Sequence, residues 1–145
     1  THEKNVMVIE AVWGLGEMIV QGAVTPDRYR VLRNNYHILS MEKETQGIEL
    51  VRWRHKNKEQ KVPKSRRDKQ KITEKQIKEL AKILAGIHKH YYFPQDIEWA
   101  FTRQKFYIVQ TRPITTLKSE ALNPKSEMVR QAHHPEQSRR TNSKS

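Results

Sequence analysis

Asp96 and Glu98 stand two residues apart, and so do Gln110 and Arg112 a short way on. In extended chain, residues two apart share one face, so each pair can present its polar groups on the same side of a strand. If the connecting turn leaves three residues between Thr102 and Phe106, Glu98 lies opposite Gln110 and Asp96 opposite Arg112. A two-residue turn would set the two pairs on opposite faces, because a one-residue slip inverts the pattern. In the first register a carboxylate and an amide oxygen meet across the ladder, ~5 Å apart. Both are hard oxygen donors suited to Mg²⁺, which keeps waters and takes phosphate oxygens as its other ligands. Arg112 adds a planar, permanently charged fork for a phosphoryl group. Metal and arginine around a triphosphate are the electrostatic apparatus of phosphoryl transfer. The spacing alone is met equally by a surface hairpin with a solvated acidic pair.

The elements that must hold these residues follow from periodicity. Asp96 to Phe101 alternates strictly, with Ile97, Trp99 and Phe101 on the face away from Asp96 and Glu98. Lys105 to Arg112 alternates as well, which places Phe106, Ile108, Gln110 and Arg112 together. Upstream, Ile77, Leu80, Ala81, Leu84 and Ile87 recur at helical spacing and predict a helix from Thr73 to about Tyr91. Thr73 with Gln76 fits a capping box at its start, and Pro94 is expected to stop it.

Nearer the start, the branched apolar run Val6 to Val12 predicts a buried strand that enters the glycine turn Trp13-Gly14-Leu15-Gly16. Glu17 to Gln21 predicts one helical turn closed by Gly22, and Thr25-Pro26-Asp27 a turn capped by the aspartate. Strands are expected at Tyr29 to Leu32, Tyr36 to Met41 and Ile48 to Trp53, the first two joined through a left-handed Asn34-Asn35. These elements give an α+β chain with a largely antiparallel sheet and one long helix.

Composition narrows the function classes. The chain has 145 residues and no cysteine, which excludes disulfides, thiolate metal sites and a cysteine nucleophile. No apolar run approaches the ~20 residues of a membrane span, and there is no secretory pattern, so a cytoplasmic protein is expected. A start at Thr1 rather than methionine suggests a chain cut from something longer, or processed. The net charge is +12, but nine of those charges lie in two weakly apolar segments, Lys56 to Lys71 and Lys118 to Ser145. The first reads as an exposed, mobile loop and the second as a disordered basic tail. A nucleic-acid-binding module is the alternative reading, and against it no aromatic residue lies between Arg54 and Lys71 to stack on bases. His133-His134 in the tail lack supporting groups for a metal or phosphohistidine role.

Three blocks carry a resemblance. They are Glu10-Ala-Val-Trp-Gly-Leu-Gly-Glu17 continuing to Asp27, His90 to Ala100, and Tyr107-Ile-Val-Gln-Thr-Arg-Pro-Ile-Thr-Thr-Leu117. In order and separation they resemble the nucleotide-binding domain of the phosphoenolpyruvate synthase and pyruvate phosphate dikinase family, the synthase branch above all. The resemblance implies the C-terminal part of an ATP-grasp domain over residues 1–117, with 118–145 outside it. It implies Glu98 and Gln110 as Mg²⁺ ligands and Arg112 as the phosphate-binding arginine, with Glu98 and Arg112 in the catalytic role. Asp96 matches an acidic residue of the same site. Gly14, Gly16 and Glu17 match a loop that approaches the nucleotide, although a glycine pair needed only for the turn fits as well.

The same resemblance implies ATP as ligand and pyruvate as acceptor through domains that this chain lacks. The family's amino-terminal subdomain and phosphohistidine motif find no counterpart in the sequence. A partner chain supplying them, or a remnant without function, are both compatible with the residues.

Overall fold

Branched and aromatic side chains dominate the first strand, β1 (Val6–Trp13), and seven of its eight residues are buried. The computed structural model describes residues 2–114, 128–129 and 131–133, beginning with a short 3-10 turn at His2–Asn5. After β1 follow α1 (Glu17–Val20), β2 (Asp27–Leu32), β3 (Ile38–Glu42), β4 (Ile48–Trp53) and β5 (Lys56–Lys61). Then come α2 (Lys64–Arg67), α3 (Glu74–Tyr91), β6 (Gln95–Thr102) and β7 (Lys105–Pro113), with short strands β8 (Met128–Val129) and β9 (Gln131–His133). The chain is α+β.

The main sheet runs β3-β2-β1-β9-β6-β7, with β8 also beside β1, and β4-β5 form a separate two-stranded ribbon. The pairs β1–β2, β2–β3, β4–β5 and β6–β7 are antiparallel. The two short strands β8 and β9 instead run parallel to their neighbours. They come from the segment expected as a tail, and the remainder of 118–145 lies outside the described residues.

Helix α3 lies over one face of the sheet. Its capping box is present: the Thr73 hydroxyl accepts from the Gln76 backbone N–H, and the Gln76 side chain accepts from the Thr73 N–H. Ile77, Leu80, Ala81 and Leu84 are buried against Met7, Ile9, Tyr29, Trp99 and Phe101 of the sheet. Burying a Leu or Ile side chain contributes about 1.5–3 kcal/mol, so this one stripe is enough to fix the helix on the sheet. The helix ends earlier than Pro94 requires: Tyr92 turns left-handed at φ 59 and donates its N–H to the His88 carbonyl.

Four local expectations differ from the structure. The β2–β3 connection places Tyr36, rather than Asn34 or Asn35, in the left-handed region at φ 59; Asn35 instead accepts from the His37 N–H through its side chain. Asp27 does not cap a turn. Its carboxylate is fully buried and accepts from the Lys71 ammonium at 2.7 Å, the Tyr29 hydroxyl at 2.7 Å, and the N–H groups of Glu44 and Lys71. Burial, then the Asp27 charge beside it, pushes the Tyr29 hydroxyl far above its ordinary range.

Third, the Lys56 to Lys71 segment is not a mobile loop. Its first part is β5, whose polar residues show no apolar period because the outer half of the ribbon has solvent on both faces. Its second part is tied inward, with Val62 and Lys71 buried and Arg66 paired to the buried Glu49 at 2.8 Å. The fourth difference concerns β7 and decides the site.

Candidate functional site

The β6–β7 hairpin turns through two residues, Arg103 and Gln104, both left-handed at φ 50 and 62. Thr102 pairs with Lys105, Phe101 with Phe106, Ala100 with Tyr107 and Trp99 with Ile108. Carried on regularly, this register would separate the two polar pairs. It is not carried on, because Val109 is left out of the ladder as a bulge and the next pair is Glu98 with Gln110. Ile97 then meets Thr111, and Asp96 meets Arg112. The pairing expected from a three-residue turn is therefore reached by a two-residue turn and an extra residue inside the strand.

The bulge also corrects the face of the earlier residues. Phe106 and Ile108 pair with Phe101 and Trp99 on the helix side, and Phe106 stacks tilted on Phe101 at 4.6 Å between ring centres. Gln110 and Arg112 lie on the opposite, open side with Asp96 and Glu98. Tyr107, not Phe106 or Ile108, shares that side with them.

On the open face Arg112 donates from Nε and Nη2 to Asp96 Oδ2 at 3.1 and 2.9 Å. This hydrogen bonding, then the charge of Asp96, raises the guanidinium further above its already high ordinary value. The pair is solvent-facing, with 56% of the arginine side chain exposed, so it positions the guanidinium more than it stabilises the fold. Asp96 Oδ1 is buried and, among the described residues, has no hydrogen-bond partner. Glu98 is half-buried and Gln110 exposed. An orphaned carboxylate oxygen beside a carboxylate and an amide oxygen is a donor set that fits Mg²⁺, which needs few protein ligands. Among the described residues no group of three or more His, Asp or Glu could hold a metal, so any ion here would keep ligand positions for water and phosphate.

The glycine loop is held elsewhere. Trp13 is level with Phe101 through His133 of β9, and the loop continues past that level. Asp96 and Arg112 occupy the other end of their strands. Gly14 has φ 80 and is pressed against β4: a Cβ there would stand 2.5 Å from the Leu50 carbonyl oxygen. Leu15 donates its N–H to the same oxygen at 2.7 Å. Gly16 has an ordinary right-handed backbone at φ −66. Glu17 is exposed and accepts from the Asn57 side chain of β5 at 3.3 Å. So the structure brings Asp96, Glu98, Gln110 and Arg112 together, and leaves Gly14, Gly16 and Glu17 with the β4–β5 ribbon.

The ribbon is fastened to β1 by side chains that take the place of a strand. The Gln46 amide accepts from the Trp13 N–H and donates to the Trp13 carbonyl, both at 2.8 Å, as a neighbouring peptide would. The Trp13 indole donates to the Arg66 carbonyl at 3.1 Å, and the Arg66 guanidinium lies 4.9 Å over its ring.

Residues 1–133 match the family described as pyruvate phosphate dikinase, AMP/ATP-binding domain. The chain belongs to this family. The match reaches beyond Leu117, where the three motif blocks end, and takes in β8 and β9. A probable phosphoenolpyruvate synthase of Methanocaldococcus jannaschii is 46% identical over 115 residues, covering 77% of this chain and 10% of that protein. The phosphoenolpyruvate synthase of Pyrococcus furiosus is 40% identical over 141 residues, covering 91% of this chain and 17% of its own length. The rifampicin phosphotransferase of Bacillus subtilis is 37% identical over 118 residues, covering 81% and 13%. The chain thus spans between a tenth and a fifth of these relatives. Among the described residues no helix is long and apolar enough to cross a membrane.

Proposed function

We propose that this chain provides the metal-and-phosphate face of an ATP-dependent phosphotransferase of the phosphoenolpyruvate synthase type. The observation that carries the reading is the bulge-set opposition of Glu98 and Gln110, beside Arg112, on an open sheet face. Glu98 and Gln110 would hold Mg²⁺, with Asp96 Oδ1 accepting a metal-bound water, and bound Mg²⁺ would neutralise charge on the phosphates. Arg112, oriented by Asp96, would carry phosphate oxygens. Membership of the ATP-binding family supports ATP as the ligand. The overall reaction that belongs to this reading is ATP, pyruvate and water to phosphoenolpyruvate, AMP and phosphate, in a cytoplasmic setting. The ATP-grasp architecture belongs to the same reading, with these residues forming one part of the clasp.

A phosphoryl-transfer site works through charge preorganised from several directions. One face alone binds nucleotide weakly and does not turn over pyruvate, so the isolated chain is expected to be inactive. A partner chain carrying the rest would restore turnover. The acceptor is chosen outside this domain, and the likeness to a rifampicin phosphotransferase keeps an antibiotic acceptor compatible with it. The nucleic-acid reading loses support, since Arg66 and Lys71 of the basic segment are engaged internally.

Calorimetric titration with ATP, with and without Mg²⁺, tests the reading. Mg²⁺-dependent binding that both Glu98→Ala and Arg112→Ala remove is the expected result. Binding that survives both substitutions, or no binding by a folded chain, would overturn it.

A further inference from the structure

The β4–β5 ribbon is anchored at its inner half and free at its outer half. Glu49 and Val51 are buried, whereas every residue from Arg52 to Glu59 is exposed. Trp53 pairs with Lys56 across the two-residue turn Arg54-His55, and Val51 pairs with Lys58 one rung further in. Residues two apart on a strand share a face, so Trp53, Lys56 and Lys58 stand together at the tip, with Arg54 in the turn beside them. The Lys58 ammonium lies 5.9 Å from the centre of the Trp53 ring.

Charge is the first feature of this tip. From Arg52 to Lys61 five cations (Arg52, Arg54, Lys56, Lys58 and Lys61) oppose one carboxylate, Glu59. Among the described residues none of the five is in an ion pair. Lysines along a free edge are an ordinary guard against strand-to-strand aggregation. The second feature works against such a guard: Trp53, in the middle of the cations, is 56% exposed. An exposed tryptophan lowers solubility, while tryptophan with arginine is the composition of interface hot spots.

We infer that the outer half of the β4–β5 ribbon is a docking surface for a short acidic segment of another polypeptide. Carboxylates of that segment meet Arg54, Lys56 and Lys58, and an apolar side chain packs on the Trp53 ring. Charge complementarity selects the occupant. On the Trp53 face of the ribbon the one carboxylate is the buried Glu49, and Arg66 and Gln60 engage it. A polynucleotide fits less well, because single-strand tracks stack successive bases on several rings, and the ribbon has one tryptophan and no tyrosine or phenylalanine. A tip of this size suits a short segment, since a standard interface buries about 800 Å² on each partner. The ribbon is joined to the glycine loop and contains none of Asp96, Glu98, Gln110 and Arg112. This docking surface is therefore separate from the phosphate face.

Fluorescence anisotropy on the full chain tests the assignment, with a labelled peptide of glutamates around one central phenylalanine as the probe. The wild-type chain is expected to bind it, and more weakly as salt rises. Lys56→Glu combined with Lys58→Glu is expected to weaken binding at least about tenfold, and Trp53→Ala about tenfold. Lys75→Glu with Lys78→Glu, on the exposed side of α3, changes the net charge equally and is expected to stay within about twofold. Equal losses in the two charge-reversed pairs would show attraction to net charge alone and overturn the site. No binding by the folded wild-type chain, or wild-type affinity in Trp53→Ala, overturns it as well. Tighter binding of an oligothymidylate of equal charge through the same residues would make the ribbon a nucleic-acid surface instead. All the substituted side chains are exposed, so each variant is expected to unfold near the wild-type temperature.

Discussion

The two ends of this domain use the same residue types for opposite purposes. Around the glycine loop, carboxylates, arginines and amides face each other. Glu49 accepts from both Arg66 and Gln60, Asp27 is saturated by four donors, and Gln46 imitates a peptide beside Trp13. On the β6–β7 hairpin, Glu98 and Gln110 face outward and, among the described residues, Arg112 is held only by one oxygen of Asp96. Polar groups that satisfy one another inside a fold specify its shape. Polar groups held in register without closing on one another can close on a ligand. The lesson is that a motif's polar residues must be read by their partners, since both ends belong to sequence blocks shared with the same family.

The largest effect is expected where the internal pairing is deepest. Lys71 and Asp27 have fully buried side chains, and removing one partner of a buried pair costs about 3–5 kcal/mol. Lys71→Met should therefore remove much of the stability in urea unfolding; a loss under 1 kcal/mol would show that Asp27 is content with its remaining donors. Next comes the glycine loop. Gly14→Ala meets the Leu50 carbonyl at 2.5 Å from a left-handed backbone and should cost about 1–3 kcal/mol. Gly16→Ala, at an ordinary right-handed φ of −66, should change stability by less than about 1 kcal/mol. Equal costs at the two glycines would break the distinction drawn here between a packing glycine and a permissive one.

The comparison sharpens with one residue type in both regions. Among the described residues Arg66→Ala leaves the buried Glu49 with the Gln60 side chain as its partner, and it should destabilise by about 1–3 kcal/mol. Arg112→Ala should leave the unfolding transition in place and remove Mg²⁺-dependent phosphate binding. If Arg112→Ala unfolds the domain and Arg66→Ala abolishes phosphate binding, the two regions have been assigned the wrong way round.

Much of this was legible in the sequence where a period is imposed by a core. The helix stripe from Ile77 to Ile87, its Thr73–Gln76 box and the alternation of Ile97, Trp99 and Phe101 each reflect burial on one side only. The β5 strand was hidden because most of its residues face solvent and carry no apolar period. The Lys71–Asp27 pair was hidden because a lysine in a basic run gives no sign that it is buried. The opposition of Glu98 and Gln110 was anticipated, but by the wrong device. Alternation in Lys105 to Arg112 looks unbroken on paper, and no glycine or proline marks Val109 as the residue that drops out of the ladder. That omission also misplaced Phe106 and Ile108, and so concealed Tyr107.

The smallest effect is expected from removing that device. Deleting Val109 takes out the one residue that the ladder skips, so Ile108 is followed directly by the residue that already faces Glu98. The pairs Glu98–Gln110 and Asp96–Arg112 survive as a regular antiparallel ladder, and Tyr107 keeps its place opposite Ala100. The side chain lost is 64% exposed, so little packing goes with it. What changes is local twist, which a bulge increases. Mg²⁺-ATP affinity in the deletion variant should therefore stay within about threefold of wild type, a change of only ~0.6 kcal/mol. A loss as large as that of Glu98→Ala would mean that the bend at Val109, rather than the cross-strand pairing it permits, is what aims Gln110 and Arg112 at the phosphates.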